Sequence, residues 1–201
     1  MQHEPHTLVL DAGGVLIAEP IPELLAGMAG AGRSDPAAVQ SFFYAELYVP
    51  LWSGALAKDD FWRLLLEVSR APGTAAQWED YFVSRLVPRP AAGRVAEWRA
   101  TADRLVVLSN HLREWLHPAL AATGTDGLFD AVLVSSQTGH VKPDISAYLD
   151  LVPAGVSLTE RTLMVDDRRD NVDAARSLGM DGLLAGADPG WLDEVTKWLR
   201  D

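Results

Sequence analysis

Cysteine is absent from this 201-residue sequence, which excludes disulfide bonds, thiolate metal sites and a cysteine nucleophile. Long hydrophobic runs are absent too, because no apolar stretch approaches the ~20 residues that a membrane-spanning helix needs. The first residues contain neither a basic segment nor a long apolar region of the kind that marks a signal peptide. We therefore expect no membrane partner and a cytoplasmic location.

Basic residues are scarce in this chain. It has 17 Lys and Arg against 28 Asp and Glu, a formal net charge of −11, and its longest basic cluster is Arg168-Arg169. Nucleic-acid-binding proteins usually present a basic face, so we expect no nucleic-acid partner. An acidic protein can still bind an anionic substrate where a metal ion and one or two cations focus positive potential in a cleft.

The remaining composition is that of an ordinary globular protein, 48% apolar and 22% charged, long enough for one domain or one domain with an insert. Short apolar runs predict five strands, at 7–10, 105–109, 131–135, 163–166 and 182–185. From residue 105 onward these strands alternate with predicted helices at 112–123, 143–152, 171–178 and 189–199. The alternation predicts an α/β fold, a Rossmann-like parallel sheet with helices on both faces.

The segment 19–90 differs because it contains almost no strand-like run. Its apolar spacing predicts helices at 21–31, 35–48, 59–70 and 75–86, with Ser34 and Thr74 as N-caps of the second and fourth. We therefore predict a small all-helical cap at 19–90, inserted into a core formed by 1–18 and 91–201. A cap that follows the first strand directly is placed to cover the end of that strand as a lid.

Polar side chains stand at four strand ends, and in parallel sheets ligands bind outside the carboxyl ends of the strands. Because these ends meet at one edge of the sheet, we expect the side chains to converge. They are Asp11 after the first strand, Ser109 and Asn110 after the second, Lys142 after the third, and Asp166 and Asp167 after the fourth.

These residue types are suited to phosphoryl transfer. Carboxylates without thiolates form an all-oxygen site that suits Mg²⁺. Lys142 can neutralise the charge of a transferred group, and Ser109 and Asn110 can donate hydrogen bonds to its oxygens. Backbone N–H groups of the Gly13-Gly14 turn can approach a phosphate closely. Asp11 can attack phosphorus to form an aspartyl-phosphate.

Four motifs in this order resemble the haloacid dehalogenase (HAD) superfamily, in the group with a small helical cap. They are "LDAGGVL" around Asp11, "LSN" at Ser109, "GHVKPD" at Lys142 and "VDDRRDNVDAARSLGM" from Val165. The resemblance covers essentially the whole chain, and the first motif, D-x-G-G-V, is similar to that of sugar-phosphatase-type members. It implies a Mg²⁺-dependent phosphatase of a small phosphorylated metabolite.

The resemblance also implies roles for individual residues. Asp11 is the expected nucleophile. Mg²⁺ is expected to bind Asp11, the Gly13 carbonyl and the Asp166–Asp167 pair, with Asp167 as the better candidate for direct ligation. Gly14, Ser109, Asn110 and His111 are the expected substrate-binding residues, and Lys142, Ser109 and Asn110 join Asp11 as the expected catalytic groups.

Gly13 departs from the family pattern, which usually has a second Asp two residues after the nucleophile. That Asp acts as general acid to the leaving group and then as base to water. Without it we expect a preference for substrates whose leaving group departs with little help, unless His111 or a cap residue supplies the proton. We also expect an Asp introduced at position 13 to fit poorly if Gly13 adopts a backbone conformation that only glycine tolerates.

Two other functions remain open from the sequence. A 2-haloacid dehalogenase would attack carbon with Asp11 and needs no metal, but that branch typically resembles D-x-Y-G-T, and both Gly13 and the Asp166–Asp167 pair argue against it. A catalytically weak phosphate- or metal-binding regulatory protein would account for the missing acid. A monomer and a homodimer are both compatible with the sequence.

Overall fold

A five-stranded parallel sheet organises the structure, a computed structural model that describes residues 6–201. Residues 1–5, which the sequence analysis assigns to the start of the core, lie outside the described part of the chain. The strands are β1 (Thr7–Leu10), β2 (Arg104–Ser109), β3 (Ala131–Val134), β4 (Thr162–Asp166) and β5 (Asp181–Leu184). Their order is β3-β2-β1-β4-β5, so β1 is central, with β2 and β4 as its neighbours.

The central strand is apolar from Leu8 to Leu10 because both faces of the sheet are covered. Side chains alternate between faces along a strand, and Leu8 and Leu10 belong to one buried cluster while Val9 belongs to another. All three are fully buried. A short continuous apolar run is typical of a parallel strand between two helical layers.

Helices flank the sheet and fill the segment between β1 and β2. Within residues 6–201 they are α1 (Ile21–Gly32), α2 (Pro36–Phe42), α3 (Tyr48–Trp52), α4 (Lys58–Ser69), α5 (Ala75–Val83), α6 (Val95–Thr101), α7 (Arg113–Thr123), α8 (Ser135–Thr138), α9 (Ile145–Leu149), α10 (Arg169–Ser177) and α11 (Trp191–Trp198). None of these described helices is long and apolar enough to cross a membrane. The predicted fold class, a parallel α/β sheet flanked by helices, is confirmed.

The predicted helix at 35–48 is divided in the structure. A π-helical segment, Phe43–Leu47, separates α2 from α3. The N-cap of α2 is Asp35, whose Oδ1 accepts the Ala37 N–H at 3.1 Å. The predicted cap, Ser34, instead donates its hydroxyl to the Ser69 carbonyl at 2.6 Å and so joins α2 to the end of α4.

The helical insertion, residues 19–90, is joined to the core by a pair of adjacent connections. Ala18 N donates to Val87 O at 2.9 Å, and Arg89 N donates to Leu16 O at 2.9 Å. The chain therefore enters and leaves the insertion side by side, next to the end of β1. These bonds lie close to the predicted boundaries at 18/19 and 90/91, and the division into domains stays a prediction.

Aromatic packing attaches the helical insertion to the core. Trp115 of α7 contacts Trp52, Phe61 and Phe82, with ring centroids 6.1, 6.2 and 4.7 Å apart. All four side chains are buried in one apolar cluster that also covers one face of the sheet. Because a close-packed cluster resists deformation, this contact holds the insertion beside the carboxyl ends of the strands.

Candidate active site

Three carboxylates meet at the carboxyl edge of the sheet. Asp11 follows β1 and Asp166 ends β4, and these strands are neighbours, with Leu10 opposite Val165. Asp167 comes next in the chain, and one carboxylate oxygen from each of the three acids lies within 4.8 Å of the others. The structure therefore brings together the three acids that the sequence places at strand ends.

A buried lysine contacts this acidic cluster. Lys142 Nζ lies 3.0 Å from Asp11 Oδ1 and donates hydrogen bonds of 2.7 Å to Asp166 Oδ2 and to Leu108 O. Burial by itself favours the neutral amine, but Asp11 and Asp166 raise the pKa of Lys142 above its ordinary value. Lys142 is therefore a charged group that connects Asp11 to the acid beside it.

The cluster carries more negative charge than Lys142 balances. Burial raises the pKa of Asp11 to about 7 against the opposing effect of Lys142, and Asp166 and Asp167 add to the rise. A divalent cation among the three acids would supply the missing positive charge, and Mg²⁺ prefers oxygen ligands of this kind. The donor set therefore fits the predicted magnesium site.

Asp166 and Asp167 occupy different environments. Asp166 is fully buried, and in addition to Lys142 its two oxygens accept bonds of 2.9 and 3.0 Å from Asn171 Nδ2. Asp167 is exposed and lines the pocket in front of the cluster. Because Asp167 faces the pocket, it is the better placed of the two to bind a metal ion directly. The Asp166 oxygens are instead occupied by Lys142 and Asn171.

Asn110 connects the end of β2 to the lysine. Its Oδ1 accepts the Lys142 N–H at 2.9 Å, and its Nδ2 donates to the Lys142 carbonyl at 2.9 Å. This reciprocal pair fixes the backbone from which the lysine side chain projects. Asn110 also lines the pocket, so it both supports Lys142 and borders the space in which a ligand would lie.

Two residues that the sequence predicts at the site, Ser109 and His111, do not line the pocket. Ser109 is 2% exposed and is not part of the pocket lining. His111 is also 2% exposed, its ring packs 5.3 Å from that of Trp52, and its Nδ1 lies 3.1 Å from Leu112 O. Burial lowers the pKa of His111 to about 4, so this imidazole is neutral near pH 7. The structure does not bring either side chain into the pocket.

The two glycines after Asp11 are required for different reasons. Gly14 has φ +76°, and a Cβ there would overlap the carboxylate of Asp167. Its N–H donates to Ile17 O at 2.8 Å, so this donor is used within the turn. Gly13 lacks a positive φ, and the expectation that its backbone excludes a side chain is wrong. The obstacle at Gly13 is a neighbour: a Cβ there would lie 2.9 Å from Glu19 Oε2.

The helical insertion supplies the outer wall of the pocket. Tyr44, Tyr48 and Trp52 line this wall, and Arg168 also lines the pocket. Arg168 Nη1 donates to the Tyr48 hydroxyl at 3.1 Å. Nothing in the spacing of the aromatic residues of the insertion distinguishes those that line the pocket from those that form its core.

Glu19 is an acidic pocket residue that the sequence analysis did not name. Its Oε1 accepts the Ile21 N–H at 3.1 Å, and its carboxylate lines the pocket beside Gly13. Glu19 is an exposed residue, but its carboxylate lies inside the pocket. Burial of the carboxylate raises the pKa of Glu19 to about 7, and the hydrogen bond from the Ile21 N–H opposes this rise. The available signal is that Glu19 is the first acid after Asp11.

A family model for haloacid dehalogenase-like hydrolases matches residues 6–179 of the chain. The match covers β1 to the end of α10 and includes every residue of the acidic cluster. Comparison with curated proteins finds none that matches the chain.

Solved structures share the fold at low sequence identity. A HAD-like family hydrolase from Porphyromonas gingivalis is 23% identical, with 98% of each chain covered and a TM-score of 0.78. A HAD family enzyme from Bacteroides thetaiotaomicron in complex with magnesium and inorganic phosphate is 19% identical, with 90% of this chain and 94% of that chain covered and a TM-score of 0.71. L-2-haloacid dehalogenase from Xanthobacter autotrophicus is 22% identical over 89% of this chain and 76% of that chain, with a TM-score of 0.62.

Proposed function

The chain belongs to the haloacid dehalogenase-like hydrolases, and from this premise we propose that it is a Mg²⁺-dependent phosphatase of a small phosphorylated metabolite. The observation that carries the proposal is the cluster of Asp11, Asp166 and Asp167 beside a pocket, with Lys142 paired to Asp11 and Asp166. Three acids and one cation are a poor site for a neutral ligand but suit a metal ion together with an anion. The magnesium and phosphate complex of a similar fold agrees with this reading.

Each residue of the cluster has a part in the proposed reaction. Asp11 attacks phosphorus and forms an aspartyl-phosphate, which water then hydrolyses. Lys142 orients Asp11 through the 3.0 Å contact and stabilises the charge of the phosphoryl oxygens. Asp11, the Gly13 carbonyl and Asp167 would hold Mg²⁺. When bound, the ion supplies Lewis-acid polarisation of a phosphoryl oxygen.

The helical insertion acts in this proposal as a cap that selects the substrate. Its aromatic side chains Tyr44, Tyr48 and Trp52 face the acids across the pocket. A largely preformed wall with a few polar groups is typical of small-molecule sites. Substrate identity is therefore expected to depend on the insertion, whereas the chemistry depends on the residues at the sheet edge.

Turnover of a generic aryl phosphate with and without Mg²⁺ tests the proposed function. We expect release of inorganic phosphate that stops when a chelator removes the metal. Halide release from a 2-haloacid in the presence of chelator would instead indicate a dehalogenase. Binding of phosphate without turnover of any ester would indicate a regulatory protein. Screening a panel of phosphorylated metabolites then narrows the substrate.

A further inference from the structure

The position left empty at Gly13 is filled by a carboxylate from elsewhere in the chain. Glu19 Oε2 lies 2.9 Å from the point where a Cβ on Gly13 would stand. An oxygen of the Glu19 carboxylate therefore lies next to Gly13, in the space that a side chain at position 13 would enter.

Local hydrogen bonds hold Glu19 in this place. The Gly14 N–H donates to Ile17 O at 2.8 Å and closes the turn after β1. The Ala18 N–H donates to Val87 O at 2.9 Å, which fixes the chain just before Glu19. The Ile21 N–H binds Glu19 Oε1 at 3.1 Å, so the other oxygen, Oε2, is the one that lies over Gly13.

We propose that Glu19 is the proton-transfer residue of this site and replaces the acid that is absent at Gly13. The inference rests on the phosphatase function proposed above. His111, the alternative from the sequence, is buried outside the pocket lining. Glu19 lines the pocket together with Asp11, so a single bound phosphate ester can contact both.

The proton transfers balance over the two halves of the reaction. In the first, an Asp11 oxygen bonds to phosphorus, the bond from phosphorus to the leaving oxygen breaks, and that oxygen takes its electron pair together with the proton of Glu19. In the second, the Glu19 carboxylate removes a proton from water as the water oxygen attacks phosphorus. The bond to Asp11 then breaks, its electron pair returns to the carboxylate, and inorganic phosphate leaves.

The experiment measures kcat/KM for wild type and Glu19→Gln on phosphate esters whose leaving groups range from acidic phenols to simple alcohols. Glutamine keeps the size of the side chain and an oxygen for the Ile21 N–H, but it has no proton to transfer. General acid catalysis typically contributes ~10²–10⁴-fold and matters most for basic leaving groups. We expect a loss of that size on alkyl phosphates and a much smaller loss on esters of acidic phenols.

Glu23→Gln is the matched control. Glu23 lies four residues further along the chain, is exposed, and pairs with Arg85 at 2.7 Å. The same chemical change at this position should leave the dependence on the leaving group unaltered. Affinity for inorganic phosphate and for Mg²⁺, measured by thermal shift, should stay near the wild-type value in Glu19→Gln, which separates proton transfer from binding.

A double variant transfers the acidic group from position 19 to position 13. The backbone of Gly13 accepts a side chain once the Glu19 carboxylate is removed. Gly13→Asp combined with Glu19→Ala should therefore recover turnover of alkyl phosphates that Glu19→Ala alone loses. Gly13→Asp alone should be less active than the double variant, because its Cβ meets Glu19 Oε2 at 2.9 Å and the Glu19 side chain must move to admit a second carboxylate.

The outcomes separate this inference from the proposed function. A wild type that hydrolyses no ester would overturn both. An active wild type in which Glu19→Gln loses nothing, or loses the same factor on every ester, would overturn only the role of Glu19. A folded double variant no better than Glu19→Ala on alkyl phosphates would also count against that role.

Discussion

Asp11 is held in the site by two contacts to one of its carboxylate oxygens. Oδ1 accepts the Ala12 N–H at 2.7 Å and lies 3.0 Å from Lys142 Nζ. Asp11→Asn keeps the shape of the side chain but replaces the carboxylate, which we propose as the nucleophile, with an amide. We expect turnover of an aryl phosphate to fall by several orders of magnitude while the thermal unfolding curve stays cooperative.

Asp173→Asn is the control for this change. Asp173 lies on α10 with a side chain 58% exposed, so the same substitution there should leave turnover unchanged. Near-normal phosphatase activity in Asp11→Asn would show that covalent catalysis through Asp11 is wrong.

Lys142 is the residue whose loss should affect both activity and folding. Its side chain is 1% exposed, and its removal leaves Asp11 and Asp166 buried without their cation. Breaking a buried ion pair on one side costs about 3–5 kcal/mol. Lys142→Ala should therefore lower the free energy of unfolding by about this amount and abolish turnover. Chemical denaturation and steady-state kinetics check both effects.

Lys142→Arg keeps the charge and should damage turnover less than Lys142→Ala. The planar guanidinium does not replace a point charge in a site of this size, so part of the activity should still be lost. Equal and mild effects of the two changes would contradict the place of Lys142 between the acids.

At the scale of helices, α7 is the element on which the helical insertion rests. Trp115 contacts Trp52, Phe61 and Phe82 within one buried cluster. Trp115→Ala should destabilise the protein by about 3–5 kcal/mol, the usual cost of truncating a large buried aromatic residue. Urea denaturation measures this cost.

Val152→Ala provides the comparison, since Val152 is 53% exposed and its truncation should change stability by less than about 0.5 kcal/mol. If Trp115→Ala costs no more than Val152→Ala, the insertion is attached by other contacts. A second, separate unfolding transition in the wild type would indicate that the insertion and the core fold independently.

For the whole molecule, binding of Mg²⁺ should raise the stability of the folded state. A ligand that binds only the folded state raises its stability by mass action, and here it also relieves repulsion among Asp11, Asp166 and Asp167. We expect the melting temperature to rise with added Mg²⁺ and to fall again with chelator. A titration without any shift, together with activity that survives chelation, would remove the metal from the proposed function.

The size of this stabilisation should depend on pH. The pKa of Asp11 in the metal-free protein is about 7, above the value of ~3.9 for an unfolded aspartate. Between these values the folded state binds more protons than the unfolded state, so stability of the metal-free protein falls as pH rises from about 4 to about 7.

Mg²⁺ competes with the proton on Asp11, and the shift in melting temperature that it produces should therefore be larger at pH 8 than at pH 6. Thermal unfolding at both pH values, with and without Mg²⁺, measures the difference. Asp11→Asn should lose most of this pH dependence. A shift equal at both pH values in the wild type would contradict the raised pKa.

The sequence predicts the positions of those helices whose ends are set by residues close by in the chain. Thr74 caps α5 in a reciprocal pair with Gln77, as a Thr followed three residues later by Gln indicates. The division of 35–48 into α2, a π-helical segment and α3 has no comparable local signal. In the π-helical segment, Phe43 and Leu47 pack into the buried cluster. The residues against which they pack are distant in sequence, so local patterns do not predict this break in the helix.

The sequence by itself determined the parallel α/β sheet and the convergence of Asp11, Lys142, Asp166 and Asp167, because apolar periodicity sets the strands and parallel strands end at one edge. Only the tertiary structure decided what lies around them. Burial excluded His111 from the pocket, and the turn after β1 brought Glu19 over Gly13. The positions of His111 and Glu19 depend on contacts between residues that only the folded chain brings within a few ångströms of each other. A pattern along the sequence does not predict such contacts.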